Sequence, residues 1–471
     1  MAHVATGMAF SGQRVCGLRA RSIQCQPDLE GLSRIFADLP YPCILGGNPA
    51  RFGPDRFSYW SAWPIARLEV KPGKHDALAL LDQTLSSWRL SCNPEISLPK
   101  GIFCGGWMGF LSYDLARSIE QVRPHRLDDL GMPAIAIGLY DRLIAYDHLD
   151  CQAWLIALEI PGDEPASSKL DGLYRLLHKA DICNSRPCGP QAMQEVRSNM
   201  SKAHYLDAVC QIKRRIVDGD VYQVNFSQRF DIPFYGRAID LFCWQNRFNP
   251  SPYSAYLDWP PYQIVCTSPE LFLRISDGWI ETRPIKGTRP RLTGQDKASI
   301  EADQMGFVEL ISSEKEKAEL AMIVDLERND LARVCIPGTR YVPVERMIEV
   351  YQTVYHAVAV IKGRLSPDKG FADVLKATFP GGSVTGAPKL MAMEVIAGLE
   401  PTARGIYTGG IGYVGLDGNV SLNMAIRTAI IIDDMAFIQV GGGIVADSDP
   451  LAEYQETLSK ARALLTWLGG V

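Results

Sequence analysis

SKAHYLDAVCQIKRRIVDGDVYQVNFSQRF, residues 201–230, holds the pattern from which the fold is read. Its first part is helical in period over 201–218, and Gly219 stops it. The run VYQVNFSQRF (221–230) then alternates like a strand with one face on a core. Strand-like runs recur at 263–275, 279–284, 406–414, 429–432 and 436–440, with helices between. Upstream, 57–63, 102–111, 135–146 and 153–160 read as strands, and 76–90 and 168–180 as helices. Strand-dominated runs with helices in clumps predict an α+β fold: mixed or antiparallel sheets in a two-part, sandwich-like core with helices packed outside. The turn formers and two prolines of DICNSRPCGPQ (181–191) divide an N-terminal region, 1–190, from a second region, 196–471. No internal repeat of solenoid period is present.

The bulk numbers narrow the class. A chain of 471 residues with 47% hydrophobic and 21% charged side chains is an ordinary globular protein of more than one simple core. A net charge of −5 and the lack of a basic stripe exclude nucleic acid as a partner. The most apolar late stretch, 425–440, is interrupted by Arg427, Asp433 and Asp434, so it does not span a bilayer. Twelve cysteines without a C-x-x-C pair, and seven histidines without metal spacing, read as reduced thiols in a cytoplasmic protein without zinc. The first 27 residues carry Arg14, Arg19 and Arg21 and no acid, as transit peptides do; a frayed or edge N-terminus without a targeting role is the preferred reading.

Several segments could carry chemistry. SSEKEKAELAMIVDLERNDLAR (312–333) is helical, with Glu319, Met322, Ile323 and Leu326 on one stripe, which places Glu319 on the apolar face. A carboxylate there is held by an Arg or Lys or by a metal ion, and this helix does not choose between them. Glu316 lies one turn earlier. Near the end, Asp449 can cap a helix, Pro450 suits its first turn, and Glu453, Glu456 and Lys460 share a face. That helix follows Gly441, Gly442 and Gly443, whose backbone N–H groups could receive an anion. Two acidic helices, an anion nest and the cations Arg427 and Lys460 together suggest a polycarboxylate held against Mg²⁺. GGSVTGAPK (381–389) fails as a phosphate loop, because Ala387 and Pro388 separate the last glycine from Lys389; it is expected to shape a loop and start a helix near the site. In TRPIKGTRPR (282–291), Lys286 is either an exposed loop lysine or a desolvated nucleophile.

SPE (268–270), TRPIKGTRPR (282–291), EKEKAELAMIVDLERNDLAR (314–333), FPGGSVTGAPK (379–389), GGIGY (409–413) and GGGIVADSDPLAEYQET (441–457) together resemble the chorismate-utilising enzymes, which include anthranilate, aminodeoxychorismate, isochorismate and salicylate synthases. The resemblance runs in order over 196–468, and more loosely over 40–64. It implies that Glu319 and Glu456 are Mg²⁺ ligands, with Glu316 and Glu453 as acidic neighbours of the metal. It implies that Tyr407 and Arg427 contact the enolpyruvyl carboxylate, that Gly441 and Gly443 are backbone donors beside Gly442, and that Lys460 is a further carboxylate partner. Glu270 corresponds to the general acid at the C4 hydroxyl, and His356 to a pocket histidine. The tetrapeptide Ile285-Lys286-Gly287-Thr288 resembles the form found in aminodeoxychorismate synthases, where anthranilate synthases have Ala at the lysine position. This implies amination of chorismate at C4 with Lys286 as covalent nucleophile, Gly287 at the substrate and Thr288 among the catalytic residues. Leu320, where anthranilate synthases carry His, points the same way. Ile44-Leu45-Gly46-Gly47 departs from the family's tryptophan-binding motif. No glutaminase signature is present, so ammonia is expected from a partner glutamine amidotransferase. Anthranilate synthase component I is the nearest alternative, and a non-catalytic partner of a glutaminase the alternative from another class.

Overall fold

The computed structural model describes residues 13–47, 56–91, 97–124, 127–180, 189–292, 294 and 296–470. Among them two large sheets carry the chain. The first runs from Gln223–Pro233 through Met435–Ile444, Thr428–Ile432, Tyr262–Ser268, Tyr253–Trp259, Cys43–Leu45, Phe57–Ser61, Arg142–Asp147 and Gln152–Glu159 to Arg14–Gln24. The second runs from Ile285–Pro290 through Val354–Arg364, Trp279–Arg283, Leu271–Ser276, Val420–Met424, Gly410–Gly415, Gly106–Leu111 and Ile135–Tyr140 to Ala66–Val70. These neighbours pair antiparallel, and Arg14–Gln24 also runs parallel to Trp88–Leu90, so the expected α+β class with mixed and antiparallel sheets holds.

Period two decides which core each side chain enters. Leu257, Ile264 and Cys266 of the first sheet pack in one cluster with Ile275, Ile411 and Leu422 of the second. Their strand neighbours Tyr256 and Val265 go the opposite way, to a cluster with the helices Leu29–Ala37, Ala166–Ala180, Ala238–Phe248 and Pro450–Trp467. The layers are thus sheet on sheet, with helices outside. Both sequence regions supply both sheets: Cys43–Leu45 pairs with Tyr253–Trp259, and Gly106–Leu111 with Gly410–Gly415. The stretch 181–188 lies outside the described residues, as do residues 1–12 of the arginine-bearing N-terminus. From Arg14 that N-terminus is a strand near the sheet edge, paired over eight residues with Gln152–Glu159.

Runs read as single strands prove to cross between sheets. The run 135–146 breaks at buried Asp141, with Ile135–Tyr140 in the second sheet and Arg142–Asp147 in the first. The run 263–275 breaks at Pro269 and Glu270, between Tyr262–Ser268 and Leu271–Ser276. The expected helix over 76–90 is the helix Ala77–Ser86 followed by the short strand Trp88–Leu90, in which buried Trp88 precedes exposed Arg89. Asp449 caps its helix as the sequence indicates, accepting from the Ala452 N–H at 2.8 Å; Ser201 accepts from the His204 N–H at 3.2 Å and Ser313 from Glu316 at 3.3 Å in the same way. Each such cap stabilises its helix by about 1 kcal/mol. No described helix is long and apolar enough to cross a membrane.

Candidate active site

The site lies where strands change sheets. Glu270 occupies the crossover between Tyr262–Ser268 and Leu271–Ser276, and Arg427 occupies the crossover between Val420–Met424 and Thr428–Ile432. Backbone bonds tie the two together: the Met424 N–H donates to the Glu270 carbonyl at 3.0 Å, and the Thr267 N–H to the Arg427 carbonyl at 3.1 Å. A strand corner exposes side chains that a continuous ladder would bury. Arg427 has a left-handed backbone, φ 51°, which sets its side chain apart from the alternation of either strand.

One wall is dry and already bonded. Lys286 is on the strand Ile285–Pro290, so the loop-lysine alternative is set aside. Its Nζ donates to the Ser383 carbonyl at 3.0 Å, and the Ser383 hydroxyl donates to Glu270 Oε1 at 2.6 Å. Burial holds the lysine below its ordinary value, while Glu270 and Glu319 pull the other way. Burial pushes Glu270 up to about 7, against the Ser383 hydrogen bond and the Lys286 charge. The carboxyl therefore keeps a proton to near neutrality while an amine beside it is easier to deprotonate, a pairing suited to acid and nucleophile. Thr288 Oγ1 lies 2.8 Å from Nδ1 of His356, its partner across the strand pair; burial and then Arg427 keep that imidazole neutral. His356 Nε2 is buried without a partner. Burial lowers the Arg427 pKa, and no carboxylate among the described residues lies in ion-pair range of it. A partly buried guanidinium without an ion-pair partner is a natural seat for a ligand anion. Tyr407 is buried, with the Arg404 guanidinium 5.6 Å from its ring centre.

The opposite wall is acidic. Along Glu314–Ala332 the fully buried line is Leu320, Ile323, Glu327 and Leu331; Glu319, Met322 and Leu326 flank it, partly buried. This amends the stripe read from the sequence, because Glu319 sits beside the apolar line, within reach of the charges of Lys286, Glu316 and Glu456. Burial raises the Glu319 pKa, and Glu316 and Glu456 add to the rise against Lys286 and Lys315. Burial would raise Glu456, but the charge and hydrogen bond of Lys460, 2.7 Å away, together with the charges of Lys286 and Lys315 bring it below its ordinary value. Glu453 accepts from Ser448 at 2.6 Å, and burial raises it. Glu316 pairs with Arg289 at 2.7 Å, while its Oε2 is buried without a partner. A methyl added at Gly287, itself at φ 92°, would sit 2.8 Å from that oxygen, so glycine leaves the carboxylate its room.

The glycine strand Met435–Ile444 closes the floor. Asn225 and Ser227 send their N–H groups away from it, to the Thr385 carbonyl and to Glu400. Gly443 and Gly441, opposite them in register, therefore point their N–H and C=O groups away from Gln223–Pro233. Beyond Ile438 the strand Thr428–Ile432 no longer pairs with them, and Lys460 instead donates to the Gly441 carbonyl at 2.9 Å. Gly442 points its backbone back to its sheet partner. A methyl there would meet Glu453 at 3.2 Å and Glu456 at 3.7 Å, so Gly442 makes space for carboxylates.

Among the described residues no three acidic or imidazole side chains form a ready metal cage. The donor set still fits Mg²⁺, which takes one or two carboxylates and fills its remaining positions with water and ligand oxygens. Glu319 and Glu456 come from two helices and interact as like charges, and Glu316 keeps an orphaned oxygen.

Two residues escaped the sequence reading. Ser383 joins Lys286 to Glu270, and its only signal was membership of the loop expected beside the site. Glu327, buried and pushed up to about 8, accepts from Thr282 at 2.8 Å. Its position seven residues after Leu320 could have revealed it.

The two-sheet fold, with glutamates from two helices opposite a lysine and an arginine, can be set beside known proteins. The chain matches the model of the chorismate binding enzyme family over residues 53–466 and belongs to that family. Within the family it is of the component I type shared by aminodeoxychorismate and anthranilate synthases. It is 39% identical over 420 residues to aminodeoxychorismate synthase component 1 of Bacillus subtilis (strain 168), covering 87% of this chain and 88% of that one. It is 38% identical over 400 residues to anthranilate synthase component 1 of Pseudomonas putida, covering 83% and 79%. The crystal structure of anthranilate synthase component I from Streptococcus pneumoniae TIGR4 superposes with a TM-score of 0.75 at 30% identity, covering 88% and 93%.

Proposed function

We propose that this chain aminates chorismate at C4, as the chorismate-binding component of an aminodeoxychorismate synthase that feeds 4-aminobenzoate and folate synthesis. The observation that carries the reading is the buried Lys286 amine, hydrogen-bonded to Ser383, whose hydroxyl holds Glu270. A relative named aminodeoxychorismate synthase component 1 is 39% identical over most of both chains, which supports the same reading.

The chemistry follows from two allylic displacements. Neutral Lys286 forms a bond from Nζ to C2, the two conjugated ring double bonds each move one position to C1–C6 and C4–C5, and the C4–O bond breaks. Glu270 gives its proton to the departing oxygen, which leaves as water. Ammonia then bonds to C4, both double bonds shift back, and the C2–N bond breaks with its electron pair returning to Lys286. The C4 ammonium can return a proton to the Glu270 carboxylate, which restores the acid. Splitting one substitution into two is what a nucleophilic side chain contributes.

Arg427 and the Gly441 and Gly443 N–H groups are placed to hold carboxylates, with Lys460 beside them, and Tyr407 and His356 line the pocket. Glu319 and Glu456 would hold Mg²⁺, with Glu316 and Glu453 supporting them. The ion supplies charge neutralisation and a template for the substrate. Ammonia comes from a partner glutamine amidotransferase, as the component 1 names of the relatives imply.

Anthranilate synthesis is the second reading, favoured by the 38% identity to an anthranilate synthase component 1. Incubating the purified chain with chorismate, Mg²⁺ and ammonium decides between them by mass spectrometry. The expected product is 4-amino-4-deoxychorismate, with its enolpyruvyl group intact; fluorescent 2-aminobenzoate with released pyruvate would overturn the proposal.

A further inference from the structure

Ser383 stands in the loop 379–385 and is 5% exposed. That loop is fixed on several sides. A methyl added at Gly381 would collide with Met424, and one at Gly382 would lie 2.7 Å from Leu326 on the acidic helix. The Arg404 guanidinium donates to the Val384 carbonyl at 2.9 Å, and the Thr385 hydroxyl to the Gly381 carbonyl at 2.9 Å. A residue held this tightly can impose geometry on what it bonds.

From this rigid seat Ser383 reaches two reacting groups at once. Its backbone carbonyl accepts from Lys286 Nζ, and its side chain donates to Glu270 Oε1. We propose that Ser383 is a positioning residue for both: its carbonyl aims the Lys286 amine, and its hydroxyl fixes which oxygen of Glu270 carries the transferable proton. The inference rests on Lys286 being the nucleophile.

The physical argument is one of hydrogen-bond roles. A neutral carboxyl has one carbonyl oxygen and one hydroxyl oxygen, and the better acceptor is the carbonyl oxygen. The Ile285 N–H also donates to this carboxyl, but only the Ser383 hydroxyl is a side chain; with Oε1 accepting from it, the proton is directed to Oε2. A neutral amine that donates one N–H to the Ser383 carbonyl turns its lone pair away from that carbonyl. Lys286, Lys460 and Arg427 also act on Glu270, and Glu327 repels it. These groups stay in place when only the Ser383 hydroxyl is removed, so a changed Glu270 ionisation reports that hydroxyl.

The test uses the full chain with chorismate, Mg²⁺ and ammonium, comparing wild type, Ser383→Ala and Ser383→Thr from about pH 6 to 9. Ser383→Ala is expected to lower kcat roughly 100-fold, at the low end of what a general acid contributes, with KM little changed. The limb of its pH profile near 7 moves up by about one unit, since the charged carboxylate has lost a donor. Ser383→Thr restores both. Added to Lys286→Ala, the alanine change costs little more, because both act through one step. An equal loss at every pH with the limb unmoved, an undiminished kcat, or a full further loss on Lys286→Ala would each overturn the proposal. Product identity is read separately: wild type that makes 2-aminobenzoate removes the C4 reading, whereas an unmoved limb removes only the role of Ser383.

Discussion

The two walls of the pocket differ in how their charges are satisfied. On the lysine side the groups that would make and break bonds are answered within the protein, Lys286 by the Ser383 carbonyl and Glu270 by the Ser383 hydroxyl, while His356 Nε2 keeps no partner. On the acidic side Glu319 is raised by burial beside like charges, and Glu316 keeps an orphaned oxygen. A wall that satisfies itself is organised before substrate arrives, whereas a wall of strained carboxylates is completed by a cation. The difference separates the groups that would make and break bonds from those that would hold the ligand.

The sharpest way to break this division is Lys286→Ala. Its C4 product formation should fall at least as far as that of Glu270→Gln, itself down roughly 10²–10⁴-fold, with slow direct attack at C2 remaining. Mass spectrometry of the products checks it, and undiminished C4 amination by Lys286→Ala would remove the nucleophile from the dry wall.

Next in size is a change behind that wall. Arg404 and Glu400 form a fully buried pair at 2.7 Å, and Arg404 also anchors the loop of Ser383 through Val384. Arg404→Met leaves the carboxylate unpaired, and thermal or denaturant unfolding should show a loss of about 3–5 kcal/mol. A stability unchanged within error would show that the loop needs no such anchor.

On the acidic wall, Glu316→Gln and Glu453→Gln should weaken the Mg²⁺ half-saturation of turnover roughly 10–100-fold, as for groups that support metal ligands. Glu319→Gln and Glu456→Gln should remove saturation from the accessible range. If all four gave the same small shift, the distinction between ligands and supports would collapse.

The smallest expected effect concerns pH. The active form needs a protonated Glu270 and a neutral Lys286, so the rate is bell-shaped, and the proton-donating fraction of Glu270 is lost as pH rises through about 7. Glu270→Gln should erase the limb near 7 from its residual rate. A limb that survives in that variant belongs to another group.

Much of this was legible in the chain. Period-two runs predicted strands, and the capping residue Asp449 marked a helix start where the structure has it. The resemblance to the chorismate-utilising enzymes brought Lys286, Glu270, Glu319 and Glu456 into one list. The hidden part lay at the breaks. The apolar runs 135–146 and 263–275 look continuous, because both halves are buried; only the packing of two sheets makes each chain turn at Asp141 or Glu270.

By itself, then, the sequence determined the class of fold, the family and the titratable residues, because these follow from local period and from side-chain type. The tertiary structure decided which of those residues are dry, which are paired and which are not. Ser383 shows why: 97 residues separate it from Lys286 and 113 from Glu270, and only the rigid seat of its loop brings its two oxygens to both. Burial and partner choice are properties of surroundings that the chain assembles from distant segments.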